Sequence, residues 1–219
     1  MKNISGNIST VCAVLLLLVG AVACKKNNYL KDGGVHDPHT SLSTYDYLKA
    51  NAYQNFDSTI LLIDHFGLKD SVNNAGTFFA FTDYTINRLM MDSGYATMQD
   101  LYDHVSSRFL TQYMFSSKDI TLDDVTTSTV RYVNWASDTV LCGVRKVEQA
   151  YQIYLTNSVP SFSYYVLQYV RINGGIDGAT GVPANDPVDV YLSCQTTGIL
   201  TSSGTTLHVL ANYATLRKL

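Results

Sequence analysis

Apolar and polar positions divide the chain into two unlike stretches. In "STYDYLKANAYQ", residues 43–54, Tyr45, Leu48 and Ala52 recur at helical spacing behind a Ser/Thr start. A second helix is expected in "FDSTILLIDHFGLKDSV", which is mostly apolar from Ile60 to Phe66. Asp57 or Ser58 is suited to cap its start, and Gly67 to end it in the left-handed region with Leu68 packing back. Thr77 to Phe81 then forms a short run whose continuous apolarity predicts a strand buried on both faces. It leads without a loop into a helix: Thr82 suits the N-cap, Asp83 suits the first-turn dipole, and Ile86, Leu89 and Met90 recur at three and four. Further helical pieces are expected over about 97–115, opened by Thr97 and Asp100 in an approximate capping box.

Beyond about residue 126 the pattern changes. "TTSTVRYVNW", "TVLCGVRKV", "AYQIYLT", "FSYYVLQYVRIN", "DPVDVYLSC" and "TTLHVLA" are rich in Val, Ile, Tyr and Thr and are separated by turn residues, so they predict strands. Helices first and strands after imply one α+β domain.

The N-terminus carries a different signal. Lys2 precedes an apolar run from Val11 through Ala23, which is too short to cross a bilayer comfortably and suits a signal-peptide core. Cys24 follows Ala-Val-Ala, an arrangement that resembles a bacterial lipobox. That resemblance implies cleavage before Cys24 and acylation of its thiol, with two or more chains giving a stable anchor. Residues 1–23 are then a lipoprotein signal peptide. The polar stretch 24–40, "CKKNNYLKDGGVHDPHT", is a lipid-attached flexible spacer, and 41–219 is the domain.

Among 219 residues only 15% are charged, tyrosines number 16, and the net charge is −3. No basic footprint for nucleic acid exists in that balance. Two cysteines remain in the domain, Cys142 and Cys194, both in strand-like runs. Export permits a disulfide between them, while a pair of free buried thiols is equally natural.

Candidate chemistry is sparse. His36, Asp37 and His39 lie in the spacer with no further ligand to complete a metal site, so no metal or other cofactor is expected. His65 and His104 sit on amphipathic helices beside aspartates, and Asp123-Asp124 reads as a helix start. No Gly-x-Ser-x-Gly elbow occurs, and no catalytic residue is assigned. Tyr151, Tyr154, Tyr164, Tyr165 and Tyr169 crowd the β half, where aromatic rings with polar tips serve either core packing or contact with sugars and proteins. The Gly/Pro/Asn/Asp-rich stretch 173–187 is the best sequence candidate for a variable contact loop.

Two stretches resemble the motifs of the fasciclin domain. "TFFAFTDYTINRL" is similar to its first motif at Phe79, Ala80, Thr82 and Asp83. "GTTLHVLANYATL" is similar to its second at Gly204, Leu207, His208 and Val209, and the helices upstream of residue 77 are similar to those of fasciclin-domain lipoproteins of Bacteroidota. The resemblance implies a β-sandwich-like wedge with helices packed at one side, a structural role for His208, and binding or adhesion rather than catalysis. The expected protein is a lipid-anchored outer-membrane module, on the cell surface or periplasmic face, with an envelope protein or glycan as partner. An accessory lipoprotein of a nutrient-uptake complex is the alternative, and a hydrolytic enzyme the third reading.

Overall fold

A computed structural model describes residues 37–118, 120–136, 141–152 and 161–216. The signal peptide, Cys24, His36 and Tyr154 lie outside the described residues. The architecture is α+β. Helices α1 (Thr44–Lys49), α2 (Asp57–His65) and α3 (Lys69–Asn74) precede strand β1 (Thr77–Ala80). Helices α4 (Asp83–Ser93), α5 (Met98–His104) and α6 (Arg108–Thr111) follow it. Six further strands complete one sheet: β2 (Met114–Phe115), β3 (Val130–Tyr132), β4 (Cys142–Gln152), β5 (Ser161–Arg171), β6 (Val190–Leu200) and β7 (Thr206–Leu210).

The sheet order is β2-β1-β7-β6-β5-β4-β3. Its two ends nearly meet. Phe115, in the first edge strand, bridges Asn134, just beyond the last, and the Trp135 amide donates to the Met114 carbonyl at 3.0 Å. The interior of this roll is aromatic: Phe79 on β1 packs edge-on against Phe115 of β2 and Tyr169 of β5, at 5.8 and 5.7 Å between centroids. Phe78, Phe79 and Phe81 are fully buried. Burial of each ring is worth roughly 1.5–3 kcal/mol, which explains the unbroken apolarity of β1. The helical residues Leu48, Leu62, Ile63, Val72 and Ile86 join the same core.

Several local signals work as expected. The Gly67 backbone is left-handed at φ +65°, and the Leu68 amide closes α2 by donating to the Ile63 carbonyl at 2.8 Å. Thr97 and Asp100 form a reciprocal capping box at α5. Other expectations need correction. The helical stretch over 97–115 is two short helices and a strand, because Val105 is extended and Met114-Phe115 is recruited as the antiparallel neighbour of β1. Cys142 to Val147 of "TVLCGVRKV" and Ala150 to Gln152 of "AYQIYLT" are one continuous strand, β4. Glu148, Gln149 and Ala150 provide no turn, and every residue from Cys142 to Gln152 is paired with β5.

Residues 38–40 belong to the folded unit rather than to a spacer reaching residue 40. Leu200 donates to the Pro38 carbonyl at 2.8 Å, and Thr40 donates to the Leu200 carbonyl at 2.9 Å.

Candidate functional site

The two motif strands lie side by side. β1 and β7 are parallel neighbours, with Phe79 opposite His208 and Ala80 opposite Val209. Leu207, His208 and Val209 are all buried. Both nitrogens of His208 are committed to backbone: the Gly198 amide donates to Nδ1 at 3.1 Å, and Nε2 faces the Ile120 carbonyl at 2.7 Å. That pairing requires the neutral tautomer with its proton on Nε2. Burial lowers the imidazole pKa from 6.5 to about 4, with the Ile120 hydrogen bond opposing the shift.

Thr82 stands at the N-cap and Asp83 in the first turn of α4, as expected, but both side chains also serve other elements. Thr82 occupies the N-cap position of α4, but its side chain makes no capping bond; its hydroxyl donates to Asn212 Oδ1 at 2.8 Å. Asp83 reaches across to α2, where its carboxylate accepts from the Ser58 amide at 2.7 Å and the Asp57 amide at 3.3 Å. The N-terminus of α2 is therefore capped by Asp83 and not by Asp57 or Ser58, because the N-cap position falls on Phe56, whose side chain cannot accept.

The disulfide alternative between Cys142 and Cys194 is overturned, since both are free buried thiols. They sit on β4 and β6 with β5 between them, two strand spacings or about 10 Å apart, beyond the roughly 7 Å Cα reach of a disulfide. Cys142 Sγ donates to the Tyr132 carbonyl and accepts from Asn134 Nδ2. Burial pushes its pKa up to about 11 and raises that of Cys194 further, so neither is a nucleophile at neutral pH.

The loop over 173–187 is held in place. Asp189, 4% exposed, accepts from the Asn173 and Asp177 amides at 2.9 and 3.0 Å, and Asp186 accepts from the Gly175 amide at 2.9 Å. Asp177 in turn accepts from the Asp189 amide and the Tyr191 hydroxyl. These carboxylates are spent on backbone closure.

The open feature is a cleft where β6 parts from β5. The two strands pair only from Gln168↔Ser193 to Arg171↔Val190, after which β6 bends through register shifts at Cys194, Thr196 and Ile199 to pair with β7. The bend leaves the first half of β5 attached to β4 alone. A cavity of about 550 Å³ opens there, lined by Gln149, Tyr164 and Tyr165 on the hairpin side. Gln195, Asn212 and Tyr213 line it on the other. Tyr164, Tyr165 and Tyr213 are 53%, 45% and 67% exposed, whereas Tyr169 is fully buried in the roll. None of the residues lining the cavity is acidic, basic or histidine. Sequence reasoning singled out Tyr164 and Tyr165 but missed Gln149, Gln195, Asn212 and Tyr213. Only the departure of β6 unites them, and isolated amides carry no spacing signal.

Comparison with known protein families finds no match to the chain, and comparison with curated proteins finds none.

Proposed function

We propose that the protein is a non-catalytic binding module of the cell envelope, anchored through lipid on Cys24, which recognises a protein or glycan. The observation that carries this reading is the convergence of three exposed tyrosines and three side-chain amides on one cavity lined by no carboxylate, lysine, arginine or histidine. Tyrosine supplies broad contact area and a polar tip at small entropic cost, and amides supply both donors and acceptors. A fasciclin-like fold is part of the proposal, supported by the in-register pairing of Phe79-Ala80 with His208-Val209.

Parallel glycan and peptide arrays probed with the whole protein test the binding role. Retention of either class, reduced by Tyr164→Ala and Tyr213→Ala, is the expected result; retention of neither would count against the proposal. Metabolic labelling with a fatty acid tests the anchor, and label persisting in Cys24→Ala would refute it.

A further inference from the structure

The cleft exposes backbone as well as side chains. Successive residues of a strand aim their amide and carbonyl groups at alternate neighbours. The Ile172 amide donates to the Leu141 carbonyl, just before β4, which assigns the even-numbered residues of β5 to the β4 side. The odd-numbered residues therefore face the β6 side. Tyr169 and Arg171 meet β6 there, opposite Leu192 and Val190. On the same side, Ser163 and Tyr165 are exposed and have no strand partner among the described residues, because β6 has already bent away, while Leu167 is fully buried.

We propose that this cleft receives an extended, uncharged peptide segment of a partner protein, which adds as a strand to the edge of β5 at Ser163 and Tyr165. The inference rests on the binding role proposed above and narrows its ligand to a peptide. It continues an interface already present: the β5–β6 hydrogen-bond ladder stops at Gln168↔Ser193, and beyond the buried Leu167 the incoming strand adds about three residues, or roughly 7 Å between the outer amides. Exposed strand edges are ordinarily blunted by charge, proline or a covering segment; "SYYVL", residues 163–167, contains neither charge nor proline.

Charge complementarity selects the kind of segment. With no carboxylate, lysine, arginine or histidine lining the cavity, a charged residue entering it would lose water without gaining a counter-charge. The ammonium of Lys146, which lies 5.3 Å from the Tyr165 ring centroid, is already engaged by the Leu122 carbonyl at 3.0 Å. Side-chain amides of Gln149, Gln195 and Asn212 suit polar neutral residues, and the tyrosine rings suit aliphatic or aromatic ones. Cys194, Gln195 and Tyr213 line the side of the cavity opposite the β4–β5 hairpin.

The test uses the full chain against a display library of random seven-residue peptides, with a glycan array in parallel. Peptides retained should be uncharged and β-prone. N-methylation of the best peptide at alternate residues should abolish binding in one phase and spare it in the other. Tyr165→Ala removes the ring and Tyr165→Pro removes the ring and the outward amide; since that amide does not serve β4, the fold should survive both. Binding about tenfold weaker in the proline variant than in the alanine variant is expected for one lost backbone hydrogen bond. Protection of the Tyr165 amide from hydrogen exchange on adding peptide to the wild-type chain gives a reading independent of any variant. Equal binding by the two variants, with that amide unprotected, would overturn the strand proposal. Glycan retention without peptide retention would overturn it while leaving the binding role intact, and retention of neither would remove both.

Discussion

Lowering the pH from 7 toward 4 drives a proton onto His208 at the expense of the fold. The ring is fully buried, accepts from the Gly198 amide and lies 4.9 Å from the Phe79 centroid. Protonating Nδ1 would set one N–H against another, and among the described residues no anion acts on the ring. The unfolded chain takes up this proton near pH 6.5, the folded protein only near pH 4. Between those values the unfolded state binds more protons, so the contribution of His208 is complete above pH 6.5 and declines as the pH falls toward 4. Across an interval of about 2.5 pH units, at about 1.4 kcal/mol each, the loss approaches about 3 kcal/mol. Urea unfolding between pH 7 and 4.5 measures it. A His208→Gln variant, which keeps one donor and one acceptor, should begin less stable but lose less stability across pH 6.5–5, before most carboxylates protonate. An imidazole titration near pH 6.5 in the folded protein, or equal pH slopes in wild type and variant, would refute the reasoning.

Other perturbations test separate parts of the structure. A Cβ at Gly76 would overlap the Ser116 carbonyl oxygen, a backbone atom that cannot move without parting β1 from β2. Gly76→Ala should therefore cost at least about 2 kcal/mol in a denaturant titration, and wild-type stability would contradict the close approach. Asp83→Ala should cost about 1–2 kcal/mol by uncapping α2, with exchange of the Asp57 and Ser58 amides accelerated. Cys142 and Cys194 should resist alkylation in native protein and react after unfolding without a reductant. A mass two hydrogens lower, with no alkylation of that pair, would restore the disulfide.

Where one segment determines its own structure, the sequence was readable. The strand Thr77–Ala80, one residue shorter than expected, the Gly67 stop and the Thr97–Asp100 capping box depend on neighbours within a few residues. Long-range choices were hidden. The bond from Asp83 to α2 joins residues 25 apart, and Met114-Phe115 becomes strand only because β1 offers an edge. Lys69–Asn74 escaped notice as a helix because its six residues bury only Val72. The cleft was partly visible, since Tyr164 and Tyr165 sit in one exposed strand run. Its other wall depends on the bend of β6 and on Asn212 and Tyr213 beyond β7, which no local period encodes.

The central claim is that β5 has a free edge within the cleft, and residue-resolved hydrogen exchange of the ligand-free protein tests it directly. The amides of Tyr164 and Val166 face β4 and should be slow, while those of the exposed Ser163 and Tyr165 should exchange rapidly, giving an alternating pattern. Uniform protection from 163 to 168 would mean that the edge is already occupied, contradicting the account.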